Sequence, residues 1–135
     1  MKLTITALSL LLSVSASVAT SFDNFSAALA QVESSGNPKA VGDNGKAKGI
    51  FQIHEICFKD AAQYDKELAK FKYNDCFNVQ VSKRVLYSYC ARYEPKALKA
   101  GDWETLARLW NSGPGWAKKK SKTDSYWEKI SRNLK

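Results

Sequence analysis

Residues 37–49 form a segment that cannot continue a regular helix or a long strand. Its thirteen positions hold three glycines, one proline and two asparagines, residue types that favour turns because of the backbone conformations they adopt or preset. Asp43-Asn44-Gly45 within it is typical of a tight turn. Apolar residues recur at helical spacing on both sides. We therefore expect a mainly α fold, a compact helical domain with a short Gly-rich loop or hairpin.

The stretch before this segment predicts an amphipathic helix behind Ser21, a candidate N-cap. Its apolar positions are Phe22, Phe25, Leu29 and Val32. The helix should end at Gly36, because the Asn-Pro pair that follows disfavours helical backbone. Further helices are expected over roughly residues 55–65, 78–93, 102–110 and 126–134, while residues 66–73 are ambiguous.

Residues 1–19 have the features of a secretory signal peptide. Lys2 makes a positive start, an apolar stretch diluted by Ser and Thr follows, and residues 17–19 supply small side chains at the cleavage positions. The alternative, a membrane anchor, needs about twenty strongly apolar residues. We expect cleavage to leave residues 20–135 as one secreted or periplasmic domain, monomeric and without membrane insertion.

The charge of the chain favours anionic partners. Lys and Arg number 21 against 13 Asp and Glu, a formal net charge of +8, which attracts polyanions without identifying them. Apolar residues make up 44% of the chain, enough for a packed core. Export argues against a nucleic-acid partner.

The three cysteines predict a disulfide rather than a metal site. Cys57, Cys76 and Cys90 have no CxxC spacing and no histidine cluster, and no metal or organic cofactor is expected. An exported chain would form one disulfide and keep one thiol. Cys76 and Cys90 should lie near opposite ends of one helix, about 21 Å apart, beyond disulfide reach. Cys57 therefore pairs with one of them, and the position of Cys76 at a helix start favours Cys57–Cys76 over Cys57–Cys90.

Glu33 is a candidate general acid. It lies four residues after Leu29, at the edge of the apolar stripe in the last turn of the predicted helix. The negative end of the helix dipole and partial burial would both raise its pKa, as a general acid working near neutral pH requires. The alternative is an ordinary solvated surface glutamate.

Asp43 is the candidate second carboxylate, ten residues further on in the Gly-rich loop. In a polar loop it should stay ionised. A neutral acid near a permanent anion is the pair that glycoside hydrolysis uses. The alternative is that Asp43 serves only the turn.

Other patterns are weaker. His54-Glu55 begins an HExxH motif, but the chain has no second histidine, so His54 is interpreted as a structural or surface residue. Aromatic residues cluster around the 111–115 break and suit either sugar stacking or the core. They are Trp110, Trp116, Tyr126 and Trp127.

Three sequence blocks resemble the lysozyme-like superfamily. Residues 28–38, ALAQVESSGNP, resemble the catalytic-glutamate segment, especially that of soluble lytic transglycosylase (SLT) domains. Residues 49–53, GIFQI, are similar to its Gly-x-x-Gln motif. Residues 107–114, ARLWNSGP, followed by Thr123 and Tyr126-Trp127, resemble the invertebrate-type lysozyme (destabilase) pattern.

The resemblance covers roughly residues 25–131 and implies an α+β lysozyme-like fold, with the Gly-rich loop beside an active-site cleft. It implies that Glu33 is the general acid and that Asp43 occupies the position of the second carboxylate. The implied substrate-binding residues are Gln52, Asn111, Tyr126 and Ser34. Two features depart from invertebrate-type lysozymes: the chain has few cysteines, and His54 stands where many of them carry lysine.

The resemblance implies an exported enzyme that cleaves peptidoglycan. The leading hypothesis is a muramidase that hydrolyses the β-1,4 bond between N-acetylmuramic acid and N-acetylglucosamine. The alternative is a lytic transglycosylase, in which Glu33 acts alone and the product is a 1,6-anhydro-muropeptide. An alternative of another class is a non-catalytic cationic protein that binds the cell wall.

Overall fold

The computed structural model describes residues 22–135, and the predicted signal peptide and the Ser21 cap lie outside them. The described part is mainly helical, as predicted. Its α-helices are α1 (residues 22–34), α2 (Glu55–Tyr64), α3 (Val79–Tyr93), α4 (Pro95–Ala100), α5 (Trp103–Ser112) and α6 (Asp124–Asn133). Over residues 22–135, every helix is too short or too polar to cross a membrane.

The predicted hairpin follows α1. Strand β1 (Val41–Gly42) pairs antiparallel with β2 (Ala47–Lys48), with Val41 opposite Lys48. A tight turn at Asp43–Gly45 joins them. The Gly49 N–H then donates to the Ala40 carbonyl at 2.8 Å, which closes the base of the hairpin beside the end of α1.

The helix boundaries follow local signals. After α1, Ser35 and Gly36 have positive φ angles of 54° and 75°, which ends the helix at the predicted place. Asp102 caps α5 by accepting from the Thr105 N–H at 3.2 Å. The ambiguous stretch forms short 3-10 helices at Lys66–Lys70 and Tyr73–Phe77.

Two helix predictions need correction. Helix α4 was not expected, and it begins at Pro95, whose fixed φ suits the first helical position. Helix α5 continues two residues beyond Trp110 to Ser112, because the chain turns only at Gly113, where φ is 81°.

The core lies around α3, which packs against α2, α4 and α5. Its largest fully buried side chains include Phe25, Leu29, Phe51, Ile53, Leu86, Leu106, Leu109 and Ile130. Because α1 and the segment after the hairpin both contribute to this core, the end of α1 and the hairpin are held against α5. This arrangement brings the predicted site residues to one side of the domain.

The structure does not contain the predicted disulfide. Cys57, Cys76 and Cys90 are all free thiols. Cys76 and Cys90 are buried, and burial raises the pKa of each thiol to about 12. In this arrangement the two side chains pack as small apolar groups.

Candidate active site

A cavity of about 490 Å³ opens where the end of α1, the hairpin, α3 and the end of α5 meet. Four predicted site residues line it: Glu33, Asp43, Gln52 and Asn111. Sequence segments far apart in the chain thus contribute to one concave surface. The resemblance to a carbohydrate-cleaving site placed these four residues together, and the fold brings them to the same cavity.

A larger groove, about 1000 Å³, lies beside α3 and also contains carboxylates. Asp65 there forms two hydrogen bonds with Arg84, and Asp23 pairs with Lys83 at 3.2 Å. These carboxylates are engaged in ion pairs, so the smaller cavity is the better candidate for acid catalysis.

Glu33 lies half-buried in the last turn of α1. Burial raises the pKa of Glu33. A hydrogen bond from Tyr126 lowers it, the charge of Asp43 raises it, and His54 lowers it. The net shift is upward, in the direction predicted from the sequence, and its main cause is burial.

Tyr126 fixes the orientation of this carboxyl group. Its hydroxyl donates to Glu33 Oε1 at 2.6 Å. Burial and the neighbouring Glu33 charge raise the pKa of Tyr126 far above its ordinary value, so the hydroxyl keeps its proton and stays a donor. Within residues 22–135 Glu33 Oε2 accepts no hydrogen bond, which leaves this oxygen to carry the acid proton.

A buried arginine anchors the segment that carries Tyr126. Arg108 of α5 is 5% exposed. Its guanidinium donates to the Lys120 carbonyl at 2.9 Å, the Thr123 hydroxyl at 2.8 Å and the Asp124 carboxylate at 2.7 Å. These bonds tie the start of α6 to α5 and thereby place Tyr126 over Glu33.

Asp43 is paired with a histidine at the cavity. His54 Nε2 lies 2.8 Å from Asp43 Oδ2, and the Asp43 side chain is 68% exposed. Asp43 has a left-handed backbone, with φ 49°, a conformation that costs about 1 kcal/mol or more outside glycine. The His54 side chain is 45% exposed, as expected for a surface residue, and it also lines the cavity.

Gln52 and Ser34 bond to the backbone around the cavity. Gln52 Nε2 donates to the carbonyls of Ala40 and Gly49 at 3.2 and 3.0 Å, so its amide hydrogens hold the hairpin. Ser34 Oγ donates to the Ile50 carbonyl at 2.7 Å. Ser34 is not one of the lining residues, whereas Gln52 is.

The predicted aromatic cluster is divided between several places. Trp110 lines the cavity and donates to the Phe51 carbonyl at 3.3 Å, whereas Trp116 donates to Glu94. Tyr89 also lines the cavity, edge-to-face with Trp110 at 5.7 Å between ring centroids. Tyr89 could not be recognised from the sequence, because its spacing on α3 is that of a core residue.

No group of three His, Cys, Asp or Glu side chains among residues 22–135 could hold a metal ion. The cavity is lined by the carboxyl groups of Glu33 and Asp43 and by His54, and Tyr126, which is not a lining residue, donates to Glu33. A half-buried glutamic acid with a raised pKa, facing a second carboxylate in one cavity, is typical of glycosidases.

The fold and this site define a lysozyme-like, carbohydrate-cleaving enzyme. A family model described as Transglycosylase SLT domain matches residues 17–133, and the chain belongs to this family. Searches of curated proteins and of solved structures found no match. Family members act on peptidoglycan as lytic transglycosylases or lysozyme-like glycosidases, and the protein is a peptidoglycan-cleaving enzyme of one of these two kinds. Its substrate implies action in the periplasm or outside the cell.

Proposed function

We propose that the protein is an exported muramidase that hydrolyses the β-1,4 bond between N-acetylmuramic acid and N-acetylglucosamine in peptidoglycan. One observation carries the proposal: Glu33, half-buried and with a raised pKa, lines the same cavity as Asp43. The two carboxyl groups differ in environment, since Asp43 is largely exposed. In such a pair the buried carboxyl group can act as the acid, and the exposed one can serve as the anion.

In this mechanism Glu33 Oε2 gives its proton to the glycosidic oxygen as the bond to the anomeric carbon breaks. Asp43 either bonds to that carbon or stabilises the oxocarbenium ion. Glu33, now ionised, takes a proton from the attacking water, which restores the acid and leaves a reducing end. Tyr126 donates to Oε1 throughout.

The second candidate is a lytic transglycosylase. It is favoured by the family match and by the bond that occupies Asp43 Oδ2 at 2.8 Å from His54. Glu33 would then act alone as acid and base. The 6-hydroxyl of the muramic acid would replace water and close a 1,6-anhydro ring.

Product analysis tests the proposal. Peptidoglycan is digested with the wild-type protein and with Glu33→Gln, and the muropeptides are weighed. Reducing-end products support hydrolysis, and products lighter by one water support transglycosylation. Loss of the general acid should lower the rate by about 10²- to 10⁴-fold. Equal cleavage by Glu33→Gln would refute the assignment of the acid.

Asp43→Asn separates the two candidates further. In a hydrolase that depends on Asp43, the substitution should abolish release of reducing ends. In a transglycosylase it should reduce the rate only slightly, because no anion beyond Glu33 is required. Asparagine keeps the shape of the side chain and an oxygen that can accept a hydrogen bond from His54. The difference between the wild-type protein and Asp43→Asn therefore reports the effect of the negative charge alone.

We propose that export uses residues 1–19 as a signal peptide, with cleavage before Thr20. The proposal rests on the positive start, apolar stretch and small residues of this segment and on the location of peptidoglycan outside the cytoplasm. The intact mass and N-terminal sequence of the exported protein test it, and retention of Met1 on that protein would contradict it.

A further inference from the structure

A second groove lies between the hairpin, the start of α2 and the second 3-10 helix, next to the catalytic cavity. It encloses about 770 Å³ and shares His54 with the cavity. Its walls carry three lysines, Lys46 and Lys48 from the hairpin and Lys72 from the segment before the second 3-10 helix. His54 is therefore a wall of both concave surfaces.

The charge in this groove is positive and largely uncompensated. Within residues 22–135 none of the three lysines forms an ion pair. The groove also contains Glu55, but Lys59 pairs with this carboxylate at 3.2 Å. Unpaired ammonium groups in a concave surface attract carboxylates more effectively than the same charges on a convex face.

The walls of the groove are fixed in place. The Tyr73 hydroxyl lies 2.8 and 2.7 Å from the carbonyl oxygens of Lys46 and Ile53, so it bonds the 3-10 helix to the hairpin. Lys48 donates to Asn74 Oδ1 at 2.5 Å, and its ammonium lies 4.4 Å from the centre of the Tyr73 ring. The cationic surface is thus held by contacts between separate elements.

We propose that this lysine groove binds the acidic peptide stem of the peptidoglycan strand, an inference that rests on the proposed function. Muramic acid carries a lactyl group joined to a short peptide that has free carboxylates. The groove shares His54 with the cavity that would hold the sugar, and it offers Lys46 and Lys72 to the carboxylates of the stem. The groove selects stem-bearing strands over bare glycan.

Binding to two matched ligands tests the inference. One ligand is a GlcNAc–MurNAc disaccharide with its peptide stem, and the other is the same disaccharide after an amidase has removed the stem. Titration calorimetry uses the Glu33→Gln protein, which should leave both ligands uncut. Adding Lys46→Gln and Lys72→Gln should weaken binding of the stem-bearing ligand by about fivefold and leave the stem-free ligand unchanged.

The control removes the same charge elsewhere. Lys118→Gln with Lys119→Gln lowers the net charge equally on an exposed segment outside the groove, and it should alter binding of neither ligand. Lys48 is kept in all variants because its bonds to Asn74 and Tyr73 support the walls. Equal weakening of both ligands, no weakening of either, or equal weakening by the control pair would overturn the inference.

The binding readout separates this inference from the proposed function. If the groove substitutions weaken binding of the stem-bearing ligand alone but the wild-type protein cleaves no peptidoglycan, the groove is supported and the muramidase proposal fails. If the wild-type protein cleaves peptidoglycan but Lys46→Gln with Lys72→Gln does not weaken binding of the stem-bearing ligand selectively, the groove alone is refuted.

Discussion

Tyr126 donates a 2.6 Å hydrogen bond to Glu33 Oε1, although the two residues lie 93 positions apart in the chain. The contact joins the last helix to the first, although Tyr126 is not one of the residues that line the cavity. Burial raises the pKa of Glu33, whereas this bond lowers it. The acid strength of Glu33 therefore depends on a long-range contact as well as on its place at the end of α1.

Tyr126→Phe should move the pH profile of cleavage. Removing the hydroxyl removes a bond that favours ionised Glu33, so the pKa of Glu33 rises further. Because the acid must be protonated, the alkaline limb of kcat should shift to higher pH. Loss of orientation should lower kcat at the optimum by about tenfold.

Tyr64→Phe is the matched control for that measurement. Tyr64 is 53% exposed and lies at the end of α2, so loss of its hydroxyl should leave both the pH profile and the rate unchanged. An unmoved alkaline limb in Tyr126→Phe would show that the hydrogen bond does not set the pKa of Glu33.

Glu33→Gln should stabilise the protein, and the gain should grow with pH. The folded-state pKa of Glu33 is raised above its ordinary value of 4.5, so between these values the folded protein binds more protons than the unfolded chain. Wild-type stability therefore falls as pH rises through this window, and the loss is complete above the folded pKa. Glu33→Gln has no ionisable group at this position, so its stability does not fall for this reason.

Urea denaturation of both proteins at several pH values measures the effect. The difference in free energy of unfolding should be smallest below the ordinary pKa and reach a plateau above the folded one, since the other titrating groups are common to both proteins. A difference that stays constant with pH would contradict a buried, raised-pKa Glu33.

Local signals explain which parts of the site could be predicted. Glu33 was placed at the end of α1 because the apolar spacing and Gly36 set the length of that helix within one or two residues. The turn sequence likewise placed Asp43 in a hairpin. Both predictions depend on residues within about ten positions in the chain, where spacing and turn chemistry decide the structure.

The features of the site that could not be predicted depend on contacts between segments that are distant in the sequence. His54 reaches Asp43 because the chain after the hairpin folds back, with Ile53 bridging to Lys48. Tyr89 has the spacing of a core residue and becomes a cavity wall only through packing. The disulfide was inferred from the expected compartment rather than from geometry, and the structure keeps the thiols free.

Substitution of His54 should affect hydrolysis through Asp43. His54→Ala removes the side chain bonded to Asp43 Oδ2 and should lower kcat for reducing-end products by about tenfold, with little change in KM. His54→Gln keeps an N–H donor and should recover part of the rate. If His54→Ala and His54→Gln lower kcat equally, the hydrogen bond to Asp43 does not contribute to the rate.

Gly49→Ala should destabilise the protein more than Gly45→Ala. Both glycines have positive φ, 80° and 89°, so each alanine costs about 1 kcal/mol in backbone strain. A Cβ at Gly49 would lie 2.1 Å from the Cys76 carbonyl oxygen, whereas at Gly45 it would meet open space. We expect a total loss of about 3 kcal/mol at Gly49, measured by urea denaturation, and equal losses would contradict the clash.

Arg108→Met should show that α6 is held by a buried arginine. The substitution keeps much of the apolar side-chain volume but removes the bonds to Lys120, Thr123 and Asp124. The free energy of unfolding should fall by about 3 kcal/mol. Arg132→Met breaks an exposed pair with Glu128 and should cost about 0.5 kcal/mol or less.

The kcat of Arg108→Met, measured under conditions in which the variant stays folded, completes this test. Because the Arg108 bonds end at residue 124, just before Tyr126, their loss should displace the tyrosine from Glu33 and lower kcat in the folded variant. The kcat of Arg132→Met should equal that of the wild type. If Arg108→Met loses stability but keeps its full rate, then packing of α6 against α5 is sufficient to position Tyr126, and the arginine serves stability alone.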